Sequence, residues 1–500
     1  MPTKNFHSSR VVVIGAGFSG LSCACHLAKM GYQVTLLEKN DQPGGRARSY
    51  SDAGFTWDMG PSWYWMPDVF EKFFGTFGKK VSDYYQLDRL DPSYRIKFKN
   101  DVIDIPASME ELEALFEKIE PGSSTKLRSF LKQAKFKYDV GVKDLVYKPS
   151  RSLLEFVDLK LLLGMFKMDV FTSISKHVRK HFKDERLIQL MEFPILFLGA
   201  TAENTPALYS LMNYADLSLG TWYPKGGMNS VVEAMVKLAT ELGVDMKLGE
   251  EVTHFSFHGK RISSVNTPLA SYECNMVVTG ADYHHIDQHI LPEEFQNYTK
   301  KYWDSRVLAP SSLLFYIGVD KKLPNLEHHT LFFDEDFRQH ASEIYNSPQW
   351  PSKPLLYVSA TSKTDNSVAP KGKENLVVLI PVAPDIEDKP ETREKYFQLI
   401  MDKLEAFTGE NIRDHILTKR SYAHKEFIED YHSFKGNAYG LANTLRQTAI
   451  LKPTLKNRKL KNLYYTGQLT VPGPGVPPSL ISGEVVAKEI GKDFPIFKNS

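Results

Sequence analysis

The stretch Val11–Glu38, VVVIGAGFSGLSCACHLAKMGYQVTLLE, constrains the fold of this chain more than any other. Val11, Val12, Val13 and Ile14 form a short unbroken apolar run, which reads as a strand covered on both faces. Gly15, Gly17 and Gly20 follow at GxGxxG spacing, and a helical pattern starts at once, with Leu21, Ala24 and Ala28 on one face. Gly31 stands where that helix should end. Tyr32 to Leu37 reads as a second strand with Glu38 at its carboxyl end. The first glycine permits a tight turn, the second lets a pyrophosphate approach closely, and the third lets helix pack on strand. The free N–H groups at the helix start are placed to hold phosphates. A carboxylate at Glu38 accepts from a ribose hydroxyl and repels a 2′-phosphate, so the pattern favours FAD or NAD over NADP. The glycines alone are weak evidence; the strand–turn–helix–strand context and the acid at its end give them weight.

A chain of 500 residues is too long for one simple core, so two or more domains are expected. A net charge of +2 gives no global attraction to nucleic acid. Cys23, Cys25 and Cys274 provide neither a disulfide framework nor metal-ligand spacing. The short polar start before Val11 lacks a signal-peptide pattern, and no apolar run reaches the roughly 18 residues of a spanning helix. A soluble or membrane-surface protein in a reducing compartment is expected.

Further along, Tyr94 to Ile105 alternates around Lys99-Asn100-Asp101 as a hairpin. Ser108 and Glu111 form a capping box before a helix carrying Leu112, Leu115, Phe116 and Ile119. Pro121-Gly122 stops it, and a second helix starts near Ser124. Leu153–Ile174 is apolar but interrupted by charges, and a basic stretch from Lys176 to Lys183 follows it. An interfacial helix and a core helix with a solvated basic end both fit that pattern. A turn at Thr221–Met228 precedes a helix from Asn229 to Leu242. Met246–Phe257 reads as one strand, and Arg261–Val265 and Tyr272–Val278 as two more. Strands over Ser311–Val319, Thr330–Phe333, Leu355–Ala360, Asn375–Val382 and Ile416–Tyr422, with a helix over Glu391–Phe407, suggest an antiparallel sheet inserted between nucleotide-binding pieces. The end of the chain, Asn462–Gly483, runs from an apolar strand through a Gly/Pro turn into a helix, a second helix start suited to an anionic or polarised ring edge.

Pro43-Gly44-Gly45-Arg46 and Asp58-Met59-Gly60-Pro61-Ser62 resemble the FAD signature of the glutathione-reductase-like flavoproteins, which include amine oxidases and carotenoid desaturases. Arg46 beside a pyrophosphate makes sense as a charge-assisted partner; a solvated basic turn is the bland alternative for Arg46 and Arg48. With TWYPKGGM and TGQLTVPGPGVPPSLISG added, the chain resembles the FAD-dependent carotenoid desaturases of the bacterial phytoene-desaturase type over essentially its whole length. That resemblance implies an α/β fold: a Rossmann-type FAD-binding domain built from discontinuous segments, an inserted antiparallel-sheet substrate domain, and a helical, membrane-contacting subdomain. The expected boundaries are 1–90, 211–295 and 456–500 for the FAD domain, 91–106 and 296–455 for the substrate domain, and 107–210 for the helical part. The cofactor set it implies is Gly15, Ala16, Gly17, Gly20, Glu38, Lys39, Gly44, Gly45, Arg46, Gly60, Pro61, Ser62, Val252, Ala281, Asp282, Gly467, Gly475, Val476 and Pro477. Trp222, Tyr223, Lys225, Tyr439 and Arg446 are candidates for the substrate cavity, each more readily wall or scaffold than proton carrier.

The reaction implied is hydride transfer to flavin N5 from a saturated bond beside a polyene, in phytoene or a related C40 carotenoid, with loss of a neighbouring proton. The flavin carries the difficult chemistry, and the protein supplies orientation and a dry cavity. Oxygen or a quinone would take the electrons, and a membrane-dissolved hydrocarbon would draw the protein to the inner face of the cell membrane. Desaturation of a hydroxylated carotenoid and carotenoid isomerisation are the neighbouring activities. A prenyl-binding escort protein is the non-enzymatic use of the fold, and the intact glycine, Glu38 and Gly45-Arg46 set argues against it. No cysteine follows Cys274 to carry a covalent flavin of the amine-oxidase kind.

Overall fold

In the computed structural model, described over residues 10–152, 155, 172–198, 201–444 and 447–496, the run Val11–Ile14 lies at the centre of a five-stranded parallel sheet. The spatial order is Leu463–Tyr465, Met276–Thr279, Arg10–Ile14, Gln33–Glu38, Asp245–Leu248. Val12 pairs with Val277 on one side and Thr35 on the other. A parallel strand flanked this way is covered on both faces, which is why the run is uniformly apolar and β-branched. Three distant parts of the chain meet in this one sheet.

Helices lock the ends of the chain together. Phe18–Met30 packs on the last helix, Val476–Asp493, and Ser22 Oγ donates to the Leu480 carbonyl at 2.7 Å. The crossing is close because Gly483 has no side chain: a Cβ there would lie 2.4 Å from the Ser19 carbonyl oxygen.

The second large sheet has seven strands, in the order Ile416–Tyr422, Ser311–Val319, Glu374–Val382, Leu356–Ser359, His329–Phe333, Tyr94–Phe98, Val102–Ile105. It is mixed rather than antiparallel as expected, because the early hairpin Tyr94–Ile105 joins its edge parallel to His329–Phe333. Helix Pro390–Thr408 covers one face of it, burying Phe397, Ile400, Met401 and Leu404 against Leu313, Phe315 and Val378.

Two other expectations need correction. Met246–Phe257 is two strands in different sheets, Asp245–Leu248 and His254–His258. Gly249 turns with φ +70°, its N–H bonds the Asn40 carbonyl, and Glu250 N–H bonds the Glu38 carbonyl, so the chain is folded back beneath Glu38. Tyr272–Val278 likewise divides into Ser271–Glu273 and Met276–Thr279, where Asn275 N–H leaves to bond the Arg10 carbonyl.

Helices Met109–Ile119 and Ser123–Val140 form as their apolar spacing predicts, burying Leu112, Phe116, Leu127, Phe130 and Leu131. Ser108 Oγ accepts from Glu111 N–H at 3.1 Å, the forward half of the capping box. The basic stretch falls on helix Ile174–His181, where His177 is buried against Phe130 and Arg179 pairs with Glu185. Nearly all of Leu153–Ile174, the stretch that fits an interfacial or a core helix, lies outside the described residues. Among the described residues no helix is long and apolar enough to cross a membrane.

Candidate functional site

One continuous cavity joins the carboxyl ends of the parallel strands to the face of the seven-stranded sheet. Its position at the strand ends is where open parallel sheets bind their ligands.

Backbone dominates the first half. Gly15 turns with φ +94°, and Gly44 N–H donates to the Ala16 carbonyl at 2.8 Å, which brings the PGGR turn against the first glycine turn. A Cβ on Gly45 would sit 3.3 Å from Gly17 Cα. Two helices begin here, Phe18–Met30 after Gly17 and Val476–Asp493 after Gly475, and neither has a side-chain cap. Uncapped helix starts leave N–H groups and partial positive charge facing the cavity. Arg46 adds a full charge. Its Nε is enclosed without a partner, and burial pulls its pKa down against the opposing pull of Asp282. Asp282 in turn is pushed up to about 6 by burial, with Arg46 pulling it back. Arg46 Nη2 reaches Ser433 Oγ at 3.3 Å and the Asn437 carbonyl at 3.5 Å. Tight glycine turns, two bare helix starts and a buried arginine with Nε unpartnered suit a dinucleotide carrying a pyrophosphate.

Apolar side chains dominate the second half. Leu331 and Phe333, Leu355 and Tyr357, and Leu379 and Pro381 alternate along three neighbouring strands and line the cavity from one sheet face. Trp63, Trp65, Phe193 and Met212 oppose them.

The predicted cofactor residues are drawn together from all three segments of the chain. Gly15, Gly17, Glu38, Lys39, Gly44, Gly45, Arg46, Gly60, Pro61, Ser62, Val252, Ala281, Asp282, Gly467, Gly475, Val476 and Pro477 all line this cavity. Ala16 and Gly20 do not. A Cβ on Gly20 would fall 1.9 Å from the Gly15 carbonyl oxygen, so its role is helix-on-turn packing. Glu38 also has a structural role that its position at a strand end does not reveal. Its Oε2 accepts from Ala16 N–H at 2.8 Å and its Oε1 from Asn40 N–H at 3.0 Å, which fixes both turns around it.

The aromatic turn requires correction. Trp222, Tyr223 and Lys225 do not line the cavity. Trp222–Pro224 pairs with Leu87–Arg89 as a two-stranded ribbon, Tyr223 Oη donates to Asp365 at 3.1 Å, and Trp222 Nε1 donates to the Leu219 carbonyl. Their rings are consumed by packing and local hydrogen bonds. Tyr439 does line the cavity, whereas Arg446 lies outside the described residues. Arg48 is not part of a solvated turn: it is buried and bonds Asp430 at 2.5 Å, with the Tyr431 ring beneath both it and Arg46. Nothing in the sequence marks helix His424–Tyr431 as a wall, because the arginine it meets lies more than 380 residues away.

Asp58, at the start of the DMGPS segment, acts on structure. It accepts from Met228 N–H at 2.8 Å and Asn229 N–H at 3.1 Å, capping helix Met228–Glu241 from a distant loop. We expect Asp58→Ala to lower unfolding stability by about 1–2 kcal/mol, as loss of a helix cap does. A urea midpoint unchanged from wild type would contradict that role.

Comparison with known proteins agrees with this geometry. A family model for flavin-containing amine oxidoreductases matches residues 18–491. A carotenoid 3,4-desaturase from Haloarcula japonica is 41% identical over 97% of this chain and 98% of its own. A zeta-carotene-forming phytoene desaturase from Myxococcus xanthus is 31% identical over 96% of this chain and 93% of its own. Among solved structures, an oxidoreductase from Methanosarcina mazei shares the fold, with a TM-score of 0.63 at 16% identity over 96% of this chain and 100% of its own. The chain belongs to the flavin-containing amine oxidoreductases, and within them to the FAD-dependent carotenoid desaturases.

Proposed function

We propose that this enzyme introduces C=C bonds into an acyclic C40 carotenoid, phytoene or a close relative. The observation that carries the reading is the single cavity whose walls change from bare helix starts and glycine turns to an apolar sheet face. FAD, when bound, supplies the hydride acceptor. Gly17, Gly45 and Arg46 would hold its pyrophosphate, Glu38 its ribose, Val252 and Ala281 the adenosine side, and Gly60, Pro61, Ser62, Gly467 and Val476 the ring. The protein's own part is to align the polyene along Leu331, Phe333, Leu355 and Leu379 and to keep water from the cation that forms on it. The domain boundaries given above, contact with the membrane surface, and oxygen or a quinone as final acceptor belong to the same proposal.

A second reading, desaturation at a terminal 3,4 bond, is favoured by the 41% identical relative. Coexpression with phytoene-producing and with lycopene-producing pathways separates the two. Coloured products from phytoene support the first. Phytoene left unchanged while the lycopene-type substrate gains double bonds supports the second. No change in either, with flavin bound, removes the desaturase reading.

A further inference from the structure

A polar trio stands in the apolar half of the cavity. Ser62 Oγ lies 2.8 Å from Tyr357 Oη, and Tyr357 Oη lies 2.6 Å from His329 Nδ1. Ser62 and Tyr357 are on the cavity wall. His329 stands behind them, fully buried, its ring stacked on Trp63 at 4.1 Å and 11°. His329 and Tyr357 occupy neighbouring strands, on the same sheet face as the apolar residues Leu331 and Phe333. Another cavity tyrosine, Tyr345, has a buried hydroxyl with no hydrogen-bond partner, and Tyr431 Oη accepts from Arg48. Tyr357 differs in having an imidazole nitrogen, His329 Nδ1, within hydrogen-bond distance of its hydroxyl.

We propose that Tyr357, backed by His329, removes the substrate proton in the desaturation step. The inference rests on the desaturase reading. Loss of a hydride from one carbon to FAD leaves a cation conjugated with the polyene. The hydride returns to that carbon unless the C–H bond on the next carbon breaks, its electron pair becoming the second bond of the new C=C, so net flavin reduction waits on removal of that proton. The proton passes to Tyr357 Oη as the original Tyr357 proton moves to His329 Nδ1. Ser62 orients the phenol by donating to Oη. After product release the imidazolium returns its extra proton through the same hydroxyl to water in the cavity. Burial holds His329 neutral and makes it a weak base, its pKa driven well below the ordinary histidine value; in the tautomer with the proton on Nε2, Nδ1 accepts from the Tyr357 hydroxyl. A C–H bond beside a carbocation is acidic enough that a neutral phenol–imidazole pair suffices as base. His329 acts through Tyr357 and is a positioning and relay residue.

The test uses flavin-loaded wild type, His329→Gln and Tyr357→Phe. The carotenoid consumed in the coexpression assay is supplied in phosphatidylcholine vesicles without oxygen, and the bleaching of flavin absorbance is followed. Gln keeps an acceptor for the phenol but takes no proton. Both variants are expected to retain full flavin content and carotenoid binding, read by quenching of tryptophan fluorescence, while bleaching slows by about 10²-fold, the range of general base catalysis. Wild type is expected to slow in D2O, because the phenol proton exchanges with solvent while the substrate C–H does not; His329→Gln should lose that effect. Wild-type bleaching in His329→Gln, or loss of flavin or carotenoid binding from either variant, overturns the proposal. Wild type that no carotenoid bleaches removes the desaturase reading, and this proposal falls with it.

Discussion

Gly483→Val is expected to yield protein without flavin, however much FAD is supplied. The residue lies mid-way along the last helix, where a Cβ would meet the Ser19 carbonyl oxygen at 2.4 Å, Cys23 N at 2.7 Å and Ser22 Cβ at 2.7 Å. Two of those obstacles are backbone atoms of the first helix, which cannot rotate away. Overpacking of a core costs about 1–3 kcal/mol when side chains can yield, so a conflict with backbone belongs at or above the upper end. The helices must move apart, and each begins at the cavity, one after Gly17 and the other after Gly475. Separating them opens the two walls that would grip a cofactor from opposite sides. Gly491→Ala, on the same helix, is the control: its added carbon meets only Met30 Sδ, at 3.4 Å, and flavin content should hold. Visible flavin absorbance and thermal melting of both variants measure the effect. Full flavin content in Gly483→Val would show that the two ends of the chain need not pack this closely.

Both ends were legible because their constraints are local. A buried parallel strand demands an apolar run, a turn at φ +94° demands glycine, and a helix that starts on a cofactor demands a bare N-terminus; all three are written within a few residues. What failed depends on which distant element a residue meets. Thr221–Met228 carries the aromatics and glycines of a cavity wall, yet Leu87–Arg89 captures it as a ribbon and Asp365 takes the Tyr223 hydroxyl. The converse holds for Tyr357 and His329. They sit in ordinary apolar strands, and only the pairing of His329 with Ser359 and Leu331 with Tyr357 sets His329 behind Tyr357 at the cavity wall. The mixed sheet has the same origin: nothing in Tyr94–Phe98 announces that its partner lies more than 200 residues later and runs parallel to it. Arg48 could be read as solvated for the same reason, since Asp430 is invisible from the PGGRAR turn.

Arg46→Met should both loosen FAD and make stability fall with rising pH in a range where the wild type is flat. Arg46 presents its guanidinium to the cavity, and hydrogen bonds to a charged group contribute about 1.5–3 kcal/mol, so flavin affinity should drop by about 10- to 100-fold. The effect on the apoprotein comes through Asp282. Burial lifts that carboxyl from 3.8 to about 6, and Arg46 restrains the rise. A raised acid costs stability as pH climbs from the unfolded pKa to the folded one. In the wild type that loss tapers off about one unit above pH 6, once Asp282 is ionised. Without the arginine the folded pKa moves higher, so the loss continues beyond that point and the gap between variant and wild type widens toward pH 8. Methionine fills much of the arginine stem's volume, so the cost reports the charge rather than a void. Urea unfolding of the two apoproteins at pH 5.5 and pH 8 decides it. Parallel losses at both values would mean that Asp282 does not depend on Arg46.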